Sequence, residues 1–152
     1  MSDMIKTSAT FADYAALPET NQFVELIDGE IIVNPPLDVH QDVLGTIYVY
    51  LRQSLGGGTL RMAPTGVYFD ESNSFEPDIF WVSPQNKQCF LGADNRYWQG
   101  APDLIVEILS TSTASKDRGI KFETYEQHGV REYWLVDPAA QYVEVYANRQ
   151  GV

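Results

Sequence analysis

The segment Leu104-Ile105-Val106-Glu107-Ile108-Leu109 is apolar at every position but one. A short run this rich in Leu, Ile and Val reads as a strand covered on both faces, so its sheet must carry packed structure on each side. Glu107 is the exception. A carboxylate in such a strand is costly unless it is paired, hydrogen-bonded or bound to a cation. Asp78 holds a comparable place in the run Phe75-Glu76-Pro77-Asp78-Ile79-Phe80-Trp81-Val82, and three bases, Lys116, Arg118 and Lys121, follow Glu107 closely. Two carboxylates on hydrophobic strands with a lysine nearby can hold Mg²⁺ and a phosphodiester.

Bulk properties narrow the chemistry. A chain of 152 residues is read as one domain, 1–152, with 44% hydrophobic residues to build its core. The single cysteine, Cys89, excludes an intrachain disulfide and a cysteine-rich zinc site. The two histidines, His40 and His128, are too isolated for a zinc cluster. The N-terminus Met1-Ser2-Asp3-Met4-Ile5-Lys6 lacks the apolar core of a secretory leader, and no stretch is long enough to span a bilayer, so a cytoplasmic protein with no membrane partner is expected. The net charge of −11 weighs against a nucleic-acid role, because polyanion binding rests on Lys and Arg neutralising phosphates. Three of only ten such residues fall within positions 116–121, so any phosphate contact is expected there, through Lys116 and Arg118. The rival meaning of the acidity is solubility alone.

Thr10-Phe11-Ala12-Asp13 has the form of a capping box opening a short helix that Pro18 ends. Asp28-Gly29 between Phe23-Val24-Glu25-Leu26-Ile27 and Glu30-Ile31-Ile32-Val33 signals a hairpin with both central residues at positive φ. A helix is predicted over 38–55, capped by Asp38, with His40, Leu44, Ile47, Leu51 and Leu55 on one face and Gly56-Gly57-Gly58 after it. Strands follow over 60–69 and 75–82, then a polar, irregular connection over 83–100. After the Glu107 strand and a Ser/Thr loop, a helix over 117–128 stops at Gly129, and strands over 131–136 and 142–146 end the pattern. The order implies mixed α and β structure around one sheet covered by helices.

Strand alternation puts Asp103, Ile105, Glu107 and Leu109 on one face. Asp103 lies about 13 Å from Glu107 at ~3.3 Å per residue, too far to share a metal, and reads as a strand-entry residue. Asp78 and Glu107 become neighbours if their strands pair. Lys121 shares a helix side with Tyr125 and His128, where its ammonium could orient an attacking water; an ordinary exposed lysine is the alternative. Glu25, on a strand face with Phe23 and Ile27, is either an additional site acid or a hairpin residue paired with an arginine. His40 is either a core histidine or a site residue. Ser110, Ser112 and Ser115 lack a GxSxG context, which removes the serine-nucleophile reading.

Several segments in order, Val24-Glu25-Leu26-Ile27-Asp28-Gly29-Glu30, His40-Gln41, Glu76-Pro77-Asp78, Pro102-Asp103-Leu104-Ile105-Val106-Glu107-Ile108-Leu109-Ser110, Asp117 to Lys121 with Tyr125, and Gly129 to Asp137 with Glu132-Tyr133-Trp134, resemble the Uma2 family of the PD-(D/E)XK nuclease superfamily. The resemblance implies a restriction-endonuclease-like central mixed sheet flanked by helices, here with an N-terminal helix and β-hairpin. It implies hydrolysis of nucleic-acid phosphodiesters, DNA first, with Mg²⁺ (or Mn²⁺). Asp78 and Glu107 match the metal-binding acids; Glu25, His40 and Tyr125 match supporting positions. The superfamily pattern would place the lysine two residues after Glu107, where Leu109 stands, and the resemblance moves that role to Lys121. A non-catalytic interaction module of the same fold is the rival reading, and a two-carboxylate glycosidase ranks below both. The strand over 142–146 is left as an edge, which favours pairing with a second chain, and a homodimer is expected.

Overall fold

A computed structural model describes residues 8–149. Residues 1–7, on which the leader reading falls, and 150–152 lie outside the described residues. The chain runs α1 (Phe11–Ala15), β1 (Phe23–Ile27), β2 (Glu30–Asn34), α2 (Asp38–Ser54), β3 (Thr59–Met62), β4 (Gly66–Asp70), β5 (Asn73–Phe75), β6 (Ile79–Val82), β7 (Phe90–Leu91), β8 (Tyr97–Gln99), β9 (Leu104–Ile108), α3 (Ala114–Arg118), α4 (Ile120–His128), β10 (Glu132–Asp137) and β11 (Tyr142–Ala147). The strands form a six-stranded sheet, β2-β1-β5-β4-β8-β7, and a five-stranded sheet, β11-β10-β9-β6-β3. The pairs β9–β10 and β4–β8 are parallel and the rest antiparallel, so both sheets are mixed.

The α/β character follows the expectation, but the one expected sheet is two. Each long run read as a single strand is broken where a proline interrupts it. Residues 60–69 divide at Pro64 into β3 and β4, and 75–82 divide at Pro77 into β5 and β6, each half joining a different sheet. Proline has no N–H to give to a ladder, so a strand stops there and can change direction. Asp78 therefore sits in the bend immediately before β6, not within a strand. The expected loop over 83–100 carries the short strands β7 and β8. At its end Gly100 has φ +89°, and a Cβ there would stand 2.2 Å from the Gln88 carbonyl oxygen, so only glycine fits.

Local signals elsewhere fold as read. The Thr10 side chain and the Asp13 carboxylate form the reciprocal capping box, and Asp28 and Gly29 take φ of +49° and +75° in the hairpin turn. The helix α2 is capped by Leu37, without a side-chain bond, and Asp38 lies in the first turn, where its charge still favours the positive helix end. The expected helix over 117–128 is two, α3 and α4, broken at Gly119 with φ −108° and ψ −105°. Gly129, at φ +90°, closes α4 as expected.

Every residue of β9 is buried. Its Leu104, Val106 and Ile108 pack with Leu44 and Leu51 of α2. Ile105, and Leu109 just beyond the strand, face the opposite way, among Phe75 and Phe80 and against Tyr125 of α4. Each such aliphatic side chain contributes roughly 1.5–3 kcal/mol by its burial. Glu107, two residues from Ile105, points into this second layer, between the five-stranded sheet and α4.

Candidate active site

The register of the central strands explains why Asp78 and Glu107 meet. In the antiparallel pair β6–β9, Ile79 is opposite Val106, so the residue before Ile79 comes beside the residue after Val106. The two acids are laced together through main chain. The Asp78 N–H donates to Glu107 Oε1 at 2.9 Å, and the Ile108 N–H donates to Asp78 Oδ2 at 2.7 Å. His40, in the first turn of α2, places Nε2 3.1 Å from Asp78 Oδ1, while its Nδ1 is buried without a hydrogen-bond partner among the described residues.

The other oxygen of Glu107 faces α4. The Tyr125 hydroxyl donates to Oε2 at 3.0 Å, and the Lys121 ammonium lies in contact with the same oxygen. Lys121 is 3% exposed, which overturns the exposed-lysine alternative. Its Nζ also donates to Glu25 Oε2 at 3.0 Å and lies 3.6 Å from Asp117 Oδ1. Glu25 is buried on β1, where its Oε2 also accepts the Glu76 N–H at 2.8 Å. Three buried carboxylates, Glu25, Glu107 and Asp117, thus surround one ammonium, and a fourth, Asp78, is tied to Glu107 through its main-chain N–H.

Burial dominates the electrostatics and pushes Glu107 well above the usual carboxylate range, against the opposing pull of Lys121. Burial likewise raises Asp117 to about 6. Burial alone would lower the Lys121 ammonium, but Glu107 and then Glu25 hold it well above its ordinary value. These directions are compatible only if the lysine stays charged and the excess acid is shared among the carboxylates. We expect Tyr125→Phe to cost about 1–3 kcal/mol in urea denaturation, because it strips a donor from a buried carboxylate while conserving shape. Glu76 borders the cluster through its main chain; burial and then Glu25 raise its carboxyl to about 7, and Oε2 is buried with no partner among the described residues. Glu76→Gln is expected to stabilise the fold by about 1–3 kcal/mol at pH 8. The gain should be absent below about pH 4.5 and grow as pH rises through 7, measured by denaturation across that range.

Asp117 was missed as a site residue in the sequence. Its i,i+4 spacing to Lys121 was the available signal, and the contact persists at 3.6 Å although the break at Gly119 places the two on different helices. Asp103 takes no part: its carboxylate accepts from the Ser83 N–H and Asn86 and pairs with Arg131, as suits a residue opening a strand. His128 leaves the side shared by Lys121 and Tyr125 and pairs with Asp70 instead. Arg118 forks onto Glu144, with both nitrogens at 2.8 Å from its oxygens, so a phosphate would compete with that carboxylate. Lys116 lies half-buried on the same short helix. A cleft of about 510 Å³ is bordered by Leu37, Val39, His40, Leu109, Arg118 and Pro138, and the His40 in its wall contacts Asp78.

Among the described residues no group of three or more His, Cys, Asp or Glu side chains converges as a ready-made metal cage. Mg²⁺ does not need one, since it is commonly held by one or two carboxylates and completes its shell with water and phosphate oxygens. Asp78 and Glu107 suit that demand. Each of their oxygens has two lone pairs, Asp78 Oδ1 and Oδ2 and Glu107 Oε1 each accept a single bond of those above, and the surplus of buried negative charge favours a cation.

A two-sheet α+β fold with paired acids and a lysine between its layers defines the restriction-endonuclease-like class. A solved structure entitled "Crystal structure of a putative nuclease belonging to DUF820 from Anabaena variabilis ATCC 29413 at 1.96 A resolution" is similar in fold, with a TM-score of 0.74 and 25% identity over 93% of this chain and 80% of that one. The model of the Uma2 family, described as "Putative restriction endonuclease", matches residues 11–152, and the chain belongs to that family. No curated protein matches. Among the described residues no helix is long and apolar enough to cross a membrane.

Proposed function

We propose that this protein is a Mg²⁺-dependent endonuclease that hydrolyses phosphodiester bonds of nucleic acid, with DNA as the first substrate to test. The observation that carries the reading is that buried Glu107, on a central strand, is tied through one oxygen to Asp78 in the bend before β6 and through the other to Lys121 on α4. Asp78 and Glu107 would hold the metal. Bound Mg²⁺ would neutralise phosphate charge and make water more acidic. Lys121 would donate from its ammonium to the attacking water or to a phosphate oxygen, a preorganised charge in a site of low dielectric. Tyr125 holds Glu107, and His40 holds Asp78, in their present orientations. The membership of Uma2 and the likeness to a protein titled a nuclease support the same chemistry.

The test is incubation with supercoiled plasmid, and separately with single-stranded DNA and RNA, in Mg²⁺ or Mn²⁺. Cleavage that EDTA abolishes is expected; cleavage unaffected by EDTA would refute metal dependence. The rival, a non-catalytic module, draws support from the net charge of −11 and from Arg118 and Arg131 being paired with acids. It would be favoured by absence of both divalent binding and DNA affinity at low salt. We also propose that β11, an edge strand exposing Tyr142, Val143, Val145 and Tyr146, pairs with β11 of a second copy. Val145→Lys should then convert a dimer to a monomer in sedimentation analysis, and a wild-type monomer at high concentration would refute the pairing.

A further inference from the structure

We propose that Lys121 is the resident counter-ion of the acid cluster, competing with a divalent cation for Glu107 and held by Glu25 and Asp117 when it releases that carboxylate. The inference rests on the nuclease reading above and assigns two residues, Glu25 and Asp117, a task in it.

The geometry of Glu107 carries the argument. Its two oxygens look in opposite directions: Oε1 accepts from Asp78, whereas Oε2 meets Tyr125 and Lys121. A cation received between Asp78 and Glu107 would share Glu107 with an ammonium already in contact with it. Two cations on one buried carboxylate repel strongly at low dielectric, so uptake of one weakens the hold of the other. A lysine with a single acidic partner would be stranded by this exchange. Lys121 is not, because Glu25 from β1 and Asp117 from α3 remain at 3.0 and 3.6 Å. Glu25 is itself fixed by the Glu76 N–H. Lys121 also lies 5.3 Å from the centre of the Phe75 ring, so the ammonium is bounded by an aromatic face and three acids. Neither Glu25 nor Asp117 is bonded to Asp78 or Glu107, so neither is needed to hold a metal there. Their role is to position the lysine, and through it to set how readily the site accepts a divalent ion.

The test is calorimetric titration of Mn²⁺ into the wild type, Lys121→Met, Asp117→Asn and, as a surface-charge control, Arg131→Met. Lys121→Met should bind Mn²⁺ on the order of tenfold more tightly, the competitor being gone, and Asp117→Asn about tenfold more weakly, because the released lysine loses an anchor. Arg131→Met should match the wild type. Equal or weaker binding by Lys121→Met overturns the exchange, as does an equal tightening by Arg131→Met, which would trace the effect to net charge. Circular dichroism establishes folding beforehand. If Lys121→Met does not fold, Asp117→Asn decides, and unchanged affinity in that variant overturns the proposal. Failure of every protein to bind Mn²⁺ instead refutes the metal-dependent nuclease reading itself, an outcome distinct from binding that is insensitive to Lys121.

Discussion

Asp78→Asn should leave a folded protein that cleaves DNA on the order of 10³-fold more slowly than the wild type, or not at all. The substitution is nearly isosteric. Its amide oxygen can still accept the Ile108 N–H, so the bend before β6 keeps its principal tie. The carboxylate charge is lost, and with it half of the paired acid site. Loss of several kcal/mol of transition-state stabilisation corresponds to a rate factor of this size. Glu107→Gln should act in the same direction: its one amide oxygen can keep the Asp78 N–H, while its NH2 would face the Tyr125 hydroxyl and Lys121, so this variant also loses the acceptor on that side. The check is initial plasmid-nicking rate in saturating Mg²⁺, with thermal melting of each variant alongside. An Asp78→Asn protein that melts like the wild type and nicks at the wild-type rate would remove Asp78 from the chemistry.

The parts of the site legible in the sequence are those set by local pattern. Glu107 announces itself because one acid breaks an apolar run, and the burial of β9 on both faces follows from the same run. The pairing of Asp78 with Glu107 needs only that two strands be neighbours. The surroundings of Lys121 depend on nonlocal structure. Glu25 arrives from β1 of the other sheet, and no spacing rule connects positions 25 and 121. The division into two sheets was obscured because Pro64 and Pro77 interrupt runs whose hydrophobic pattern continues across them. The break at Gly119 was hidden for a similar reason: helical composition persists on both sides. His40 illustrates a limit of pattern reading. The same apolar-face position suits a core histidine and a site histidine, and the Nε2 contact with Asp78 is supplied by tertiary structure alone.

In the absence of divalent cations, Lys121→Met should cost about 3–5 kcal/mol of folding stability at pH 8, the penalty for leaving buried charge without its partner. The loss should shrink to about 1 kcal/mol or less near pH 5. The sign follows from the acids that Lys121 compensates. Asp117 has its folded value raised from 3.8 to about 6, and Glu107 is raised in the same direction. A carboxyl raised on folding binds more protons in the native state, so the stability it confers is fully present below its unfolded value and falls as pH climbs through its folded one. In the wild type this decline lies between about pH 4 and 6 for Asp117. Lys121 opposes the rise at both acids; removing it lifts them further and extends the decline toward neutral pH. At pH 5 the variant can neutralise its cluster with protons, whereas at pH 8 protonation carries a penalty and ionisation leaves the acids to repel one another. Methionine retains much of the lysine's apolar stem, so packing against Phe75 changes little. Urea denaturation at the two pH values in EDTA separates the causes. A loss equal at pH 5 and pH 8 would assign it to packing and remove the charge-compensating role of Lys121.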